Sequence, residues 1–375
     1  MRVALAIHRV RPGGGQDRYA LELARRLGGA CELDLITLAA EGELPAGVRV
    51  RRVPAPRRPL LVAAPLFRMG ARLLARGGRY DLVHTVGGAL PGAQVVTAQF
   101  CHAEWRRLMP GADWYQRIVT AQAVRDERAA YRHPRLAAVI AVSTRTAAEL
   151  ERHYGPLSVP VYVVPNAVDL DRFAPRPHPP RARPRLLFVG AFERKGLDVA
   201  IRALARLRHD AELVAVGGGD HERYRRLAAA LGIADRVTLE PPRTDIAAVF
   251  AAADLFVFPT RYEPFGMVIG EALASGLPVV TSGRAGAADL IRDGVSGWVV
   301  TDPEDDAAFA AAVDRILEDD DARAAMGRAA REAVKDLTWD SVAAQTLEVY
   351  RSAAGEAARR RQRSGSSAPA AAADA

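Results

Sequence analysis

The chain has 375 residues, is 49% hydrophobic and 26% charged, and carries a net charge of +8. That length holds two domains of ordinary size, and that composition excludes a disordered or fibrous chain. No apolar run reaches the roughly eighteen residues of a membrane-spanning helix. The N-terminal run Met1–Ile7 is too short for a signal peptide, and two cysteines, Cys31 and Cys101, make no disulfide framework, which fits the cytoplasm. Charge is uneven: residues 1–170 hold 24 Arg/Lys against 14 Asp/Glu, and the remainder 28 against 30. A basic first half suits an anionic partner. Compositional bias raises the count too, since only Lys195 and Lys335 are lysines. Lys335 sits in an ordinary helix pattern. Lys195 stands inside a glycine-bounded motif, where a compact ammonium differs from a guanidinium.

Arg2–Ile7 reads as a buried strand. Arg11-Pro-Gly-Gly-Gly-Gln-Asp17 follows as a turn, then an amphipathic helix with Leu21, Ala24 and Leu27 on one face. A glycine-rich strand-to-helix turn cradles ligands in many α/β proteins. Tight turns need glycine too, and this is not the Gly-x-Gly-x-x-Gly of a dinucleotide site. Strand patterns continue at 31–37, 48–53, 81–85 and 93–97. Between them, Pro59–Arg76 has one apolar face (Leu60, Leu61, Ala64, Phe67, Leu74) and one basic face (Arg57, Arg58, Arg68, Arg72, Arg76). It reads as a membrane-surface helix or as a crossover helix with a solvated arginine face. Parallel sheets need such crossovers, which favours the second. His84 ends one strand, and Gln99 and His102 follow another, where open α/β sheets bind ligands. A lone histidine is more often a structural residue, and His84 is the weaker of the two candidates.

A helix is predicted over 113–133, a strand over Leu136–Val142, an N-cap at Ser143 and a helix over 144–153. The first domain closes at 168. Residues 169–183, rich in Pro and Arg, read as a linker. Asp169-Leu-Asp171 formally matches a metal-binding pair, but its place in the linker argues against that role, and no other cluster has metal-ligand spacing.

A second α/β set spans 184–338. Arg185–Gly190 is a strand. Arg194 and Lys195 then precede a helix, and two adjacent cations there suit a diphosphate; the alternative is a solvated basic turn. Strands follow at Glu212–Val216 and Arg236–Glu240, and a helix at 244–252. The buried strand Asp254–Phe258 leads into a loop carrying Glu263, then a helix from Phe265 or Gly266 that stops at Gly276. Glu271 lies in that helix among Met267, Val268, Ile269, Ala272 and Leu273, where a carboxylate is costly to bury unpaired. Gly266 sits where the free N–H groups of Phe265–Val268 favour an anion and no side chain blocks approach. The plainer alternative makes Glu263 a loop charge and Glu271 part of an exposed stripe. Helices fill 303–354, and 355–375 read as a disordered tail. Strands alternating with helices in two sets predict an α/β chain of two Rossmann-like domains.

Glu263 and Glu271, with Pro264-Phe-Gly266 after the first and Ala272-x-Ala-x-Gly-x-Pro-Val279 after the second, resemble the signature of the retaining family 4 glycosyltransferases. The match fixes residue types over about twenty positions. The glycine-rich first turn, Val161–Asp169 (Ala167 where the family has glycine) and Gly283–Asp289 before Asp293-Gly294…Gly297 are similar as well. The resemblance covers about residues 1–350 and is strongest in 185–300. The first half is most similar to lipopolysaccharide-core and cell-envelope sugar transferases.

The resemblance implies the GT-B fold: two Rossmann-like domains facing across a central cleft, with a last helix at 339–354 packing back on the first. It implies that Gly14 and Gly15 face the donor phosphates and acceptor, and that Gly190, Arg194 and Lys195 hold the diphosphate. Glu240 would contact the base through its backbone, Glu263 the sugar hydroxyls and Glu271 the ribose, with Phe265, Gly266, Met267 and Val268 supplying N–H groups. The family carries a histidine directly after the strand at 93–97; Gln99 stands about there and His102 three residues on. The expected catalytic set is Glu263, His102, Arg194 and Lys195. The expected enzyme is a retaining, metal-independent and cofactor-free hexosyltransferase. Its donor would be a UDP-, GDP- or ADP-linked sugar and its acceptor a glycan or a lipid-linked molecule. It would be cytoplasmic, with peripheral contact at the inner membrane surface left open. Nucleic acid is not expected, since the basic half lacks interleaved aromatics. A nucleotide-sugar epimerase or hydrolase would instead release nucleotide without an acceptor, and a non-catalytic sugar-nucleotide binding protein would bind without turnover.

Overall fold

Strands buried on both faces of a parallel sheet read as unbroken apolar runs. Val3–Ala6, Leu186–Phe188 and Leu255–Phe258 are such runs, and each of their residues is buried. The structure, a computed structural model, describes residues 1–11, 14–41, 44, 46–56, 58–108, 113–177 and 181–366, with side chains to Glu356. Pro12 and Gly13 of the glycine-rich turn, Arg57, residues 178–180 of the expected linker and the tail from 367 lie outside the described residues.

The chain forms two units, Met1–Val164 with Val342–Ala375, and Pro165–Ser341. The first contains β1 (Arg2–Ala6), β2 (Arg9–Val10), α1 (Gly15–Leu27), β3 (Glu32–Thr37), β4 (Ala39–Ala40), β5 (Arg49–Arg52), α2 (Leu60–Gly77), β6 (Leu82–Val86), β7 (Val95–Ala98), α3 (His102–Leu108), α4 (Trp114–Tyr131), β8 (Ala138–Ala141), α5 (Thr144–Tyr154) and β9 (Val161–Val163). Its seven-stranded sheet runs β5-β3-β1-β6-β7-β8-β9 and is parallel throughout; β2 and β4 form a separate pair. Asp113 caps α4 by accepting the Gln116 N–H (2.8 Å), and Ser143 caps α5 by accepting the Thr146 N–H (3.0 Å).

The second unit contains β10 (Arg185–Val189), α6 (Phe192–Lys195), α7 (Leu197–Arg206), β11 (Glu212–Val216), α8 (His221–Ala230), β12 (Val237–Glu240), α9 (Ile246–Ala251), β13 (Leu255–Phe258), α10 (Met267–Ala274), β14 (Val279–Ser282), β15 (Gly297–Val300), α11 (Asp306–Leu317) and α12 (Asp320–Glu332); α13 (Trp339–Ser366) begins in it and continues in the first. Its six-stranded parallel sheet runs β12-β11-β10-β13-β14-β15. Each sheet starts at its centre, grows one way, then reverses. That is the doubly wound order, and in it the crevice opens at the carboxyl ends of the two central strands.

Three expectations are corrected. The linker is not free chain: Phe173 is fully buried against Phe250 (ring centroids 5.6 Å), and Arg331 donates to the carbonyls of Leu170 and Phe173 (3.0 and 2.7 Å). The described residues of this stretch belong to the second unit, which starts at Pro165. The last helix does not stop at Ala354; it runs to Ser366, through Ala and Arg residues that favour helix. His84, a candidate site residue, is a core residue. It is fully buried, with Nδ1 2.7 Å from the Tyr350 hydroxyl on α13 and Nε2 2.7 Å from the Thr97 hydroxyl on β7.

Both ring nitrogens of His84 are thus satisfied, and burial pushes its pKa down from 6.5 to about 3. Tyr350→Phe strands one of them and should lower stability by ~1–3 kcal/mol in urea unfolding. The depressed pKa also sets an acid dependence. Below pH 6.5 the unfolded chain takes a proton that the folded one refuses until about pH 3. Stability contributed by neutral His84 is therefore complete above that window and falls as pH falls through it. His84→Gln should flatten this part of the stability–pH curve.

Candidate functional site

In the second unit the reversal falls between β10 and β13. The segments leaving those strands carry Gly190–Gly196 and Pro259–Gly266. Gly190 (φ +141°) turns the chain out of β10, and its N–H donates to the Val216 carbonyl (3.0 Å). The short helix α6 ends at Gly196 (φ +77°), where a Cβ would stand 2.1 Å from the Pro259 carbonyl oxygen. Only glycine brings the two segments this close. The Arg261 N–H then donates to the Arg194 carbonyl (3.1 Å).

Side chains lock the same junction. Lys195 is 7% exposed, lies 4.9 Å over the Phe258 ring and is ion-paired with the Glu263 carboxylate. Burial, and then Arg194, push its pKa well below the usual lysine value, and the Glu263 carboxylate in contact is the group that opposes them. Arg194 donates from Nη1 to the Tyr262 carbonyl (2.9 Å) and to Glu263 Oε2 (3.3 Å). Burial lowers its pKa from the usual arginine value. Glu263 is held by its backbone as well: its N–H donates to the Arg284 carbonyl (3.1 Å) and its carbonyl accepts from Gly286 (2.9 Å). One carboxylate and two cations therefore occupy one crevice end.

Gly266 (φ +102°) heads α10, and no side chain caps it. A Cβ there would lie 3.0 Å from Glu263 Cγ, so the glycine lets the Glu263 stem pass beside the helix start. Phe265 is buried, and Met267 and Val268 are half-buried in the first turn. Glu271 is 6% exposed, which overturns the exposed-stripe alternative. It stands four residues after Met267, about 6 Å along the helix. Glu240 ends β12, two strands from β10. Its carbonyl accepts from the Gly217 N–H (3.0 Å) and its side chain pairs with Arg243 (2.9 Å), so it stands apart from the Arg194–Glu263 group.

In the first unit Gly14 precedes α1 and Gly15 opens it, exposed. A Cβ on Gly14 would meet Asp17 Oδ2 at 2.3 Å. His102 opens α3 beyond β7. Its Nδ1 lies 2.6 Å from Glu127 Oε1, and its backbone N–H donates to the same carboxylate (3.1 Å). Nδ1 is engaged, and the ring stays part-exposed. Gln99 is buried. Asp169, of the formal Asp-x-Asp pair, accepts the Arg172 N–H (3.0 Å). Among the described residues no group of three or more His, Cys, Asp or Glu is placed to hold a metal ion.

Several participants escaped the sequence. Glu127, 1% exposed, fixes His102 from 25 residues away and also accepts from the Tyr154 hydroxyl. His8 ends up beside β1 with Nε2 buried and unbonded. Arg261 clamps the Pro259–Glu263 loop through Asp198 (2.8 and 3.0 Å) and Glu304 (2.6 and 3.0 Å). Asp198, three residues after Lys195 at the start of α7, was the one local hint of that clamp.

Two families match the chain. Glycosyltransferase Family 4 matches residues 13–172, and Glycosyl transferases group 1 matches residues 172–333. The D-inositol 3-phosphate glycosyltransferase of Salinispora tropica is 32% identical over 92% of this chain and 82% of its own length. Among solved structures, WaaG, a glycosyltransferase involved in lipopolysaccharide biosynthesis, superposes with a TM-score of 0.79 at 23% identity, over 92% of this chain and 99% of WaaG. Anabaena HepE, solved with UDP and glucose, superposes with a TM-score of 0.71 at 20% identity, over 94% of this chain and all of HepE.

The buried pair supplies a test that needs no substrate. Glu263→Ala leaves the Lys195 ammonium buried without its carboxylate and should cost ~3–5 kcal/mol in thermal or urea unfolding. Glu263→Ala combined with Lys195→Met should recover most of that loss. An unchanged single variant would show the pair to be solvated.

Proposed function

The chain belongs to the family 4 glycosyltransferases, and from that premise we propose that it transfers a hexose from a nucleotide sugar with retention of configuration and without a metal ion. The observation that carries this reading is the convergence of Arg194, Lys195, Glu263 and the uncapped Gly266 helix start at the reversal of the second sheet. A departing diphosphate develops negative charge. Two fixed cations and the N–H groups of Phe265–Val268 are suited to meet it. In this reading Gly190 gives the phosphates room, Glu263 orients the sugar hydroxyls, Glu271 binds the ribose and the end of β12 at Glu240 meets the base. The donor C1–O bond breaks as the acceptor oxygen forms its bond to C1 on the same face. The acceptor's proton passes to the departing phosphate oxygen, so no dedicated base is needed. The first unit takes the acceptor, with Gly14 and Gly15 at the start of α1 and His102 presenting Nε2.

The acceptor in this reading is a glycan or a lipid-linked molecule, reached by a cytoplasmic enzyme in peripheral contact with a membrane. A second reading follows from the curated relatives, of which S. tropica's is one: a sugar-alcohol phosphate such as D-inositol 3-phosphate. The basic surplus of the first half suits an anionic acceptor of either kind.

The test is donor turnover in EDTA across UDP-, GDP- and ADP-sugars, with and without D-inositol 3-phosphate, read as released nucleoside diphosphate. One donor should be selected. Lys195→Ala and Glu271→Ala should each lower kcat/KM by about 10²–10³-fold. Full activity in both variants would end the site assignment, and activity restored only by added Mg²⁺ would end the metal-free mechanism. His102→Ala should lower kcat while leaving donor KM within about twofold, the mark of an interaction absent from donor binding.

A further inference from the structure

Glu127 on α4 is 1% exposed, and a carboxylate buried that deeply is tolerable only where donors answer it. Gly88, just after β6, admits the close approach of α4: a Cβ there would stand 2.7 Å from the Glu127 backbone nitrogen. α3 and α5 then supply the donors. The His102 N–H lies 3.1 Å from Oε2 and 3.3 Å from Oε1, and the Tyr154 hydroxyl donates to Oε2. His102 Nδ1 completes the set, 2.6 Å from Oε1.

The direction of that last bond follows from the others. A carboxylate only accepts, and donors already meet both of its oxygens. The side chains around it keep their hydrogens. Burial first and Glu127 next raise the pKa of Tyr154, push Cys101 up to about 12 and hold Tyr131 well above the ordinary tyrosine value. Nδ1 therefore donates its hydrogen to Oε1, and in the neutral ring the lone pair stands on Nε2.

The ring rests against Phe100, with centroids 4.8 Å apart. Its side chain is 36% exposed, and Nε2 has no partner among the described residues. A carboxylate serving only to cap α3 would need the backbone N–H alone. Here the same carboxylate also fixes the ring.

We propose that Glu127 is a positioning residue for transfer: it keeps the hydrogen of His102 on Nδ1, so that Nε2 accepts a hydrogen bond from an acceptor hydroxyl and is unsuited to a phosphate oxygen. This rests on the acceptor-side role given to His102 above. In that reaction the attacking hydroxyl sends its proton to the departing phosphate. The hydroxyl at Nε2 is therefore a second one on the same acceptor. A glycan and an inositol phosphate each offer one, and the phosphate of the latter would be held away from His102.

The test begins with the two-bond proton–nitrogen correlation spectrum of the full chain, carrying nitrogen-15-labelled histidine, at about pH 8, above the ordinary histidine range. The His102 signals, identified by their loss in His102→Ala, should show the Nδ1–H tautomer. The Nε2–H tautomer or a doubly protonated ring in the wild type would overturn the proposal, as would protonation of Nε2 on adding inorganic phosphate. Glu127→Gln can turn its amide N–H toward Nδ1 and should admit the Nε2–H form. In the donor-turnover assay above, this variant should lower kcat about tenfold while donor KM stays within about twofold. Combined with His102→Ala it should lower kcat no further, since a residue that acts through another is not additive with it. A further loss of about tenfold in the double variant, or unchanged kcat in Glu127→Gln with the tautomer altered, would overturn the positioning role. Full turnover in His102→Ala would instead end the acceptor-side role of His102, and the wild-type spectrum would still report the tautomer, so the two failures are told apart.

Discussion

The second unit is organised around a buried ammonium. Lys195 is closed over by Phe258 and faces the Glu263 carboxylate. A charge so enclosed is tolerable only when its partner is fixed. Glu263 is fixed: its own N–H and carbonyl are tied to Arg284 and Gly286, and the loop before it is clamped by Arg261 to Asp198 and Glu304. Two segments separated by more than sixty residues in the chain thereby become one surface. The glycines serve that closure, Gly196 against the Pro259 carbonyl and Gly266 beside the Glu263 stem.

This arrangement has a chemical direction. Arg194 shares the Glu263 carboxylate with Lys195, so part of the cationic charge is neutralised at rest. In the proposed reaction, a diphosphate at this crevice would compete with Glu263 for both cations and release the carboxylate toward other hydrogen bonds. Charge is prepositioned without standing bare in a low-dielectric pocket, the condition under which oriented polar groups act most strongly on developing charge.

Local chemistry was legible in the sequence; long-range partnership was not. Glu263, Gly266 and Glu271 stand within nine residues, and a strand–loop–helix pattern suffices to place them. Lys195 could be singled out because the chain otherwise uses arginine. The alternation of apolar runs with amphipathic helices gave two doubly wound sheets, but β15 and α3 were missed, being short and bounded by no strong signal. His84 and His102 look alike in sequence, each at a strand end. What separates them is distant: Tyr350, 266 residues on, closes His84 into the core, and Glu127 orients His102. The linker was read from its Pro and Arg content, which carries no sign of the packing of Phe173. Phe173 is invisible as an anchor until Phe250 is seen beside it.

The first unit is built from two separate stretches of the chain, and the whole second unit is inserted between them. The sheet of the first unit is encoded long before α13, so the His84–Tyr350 bond joins residues 266 apart across the whole inserted unit. The second unit's residues are contiguous, whereas the first unit is complete only once α13, encoded after the whole second unit, has joined it.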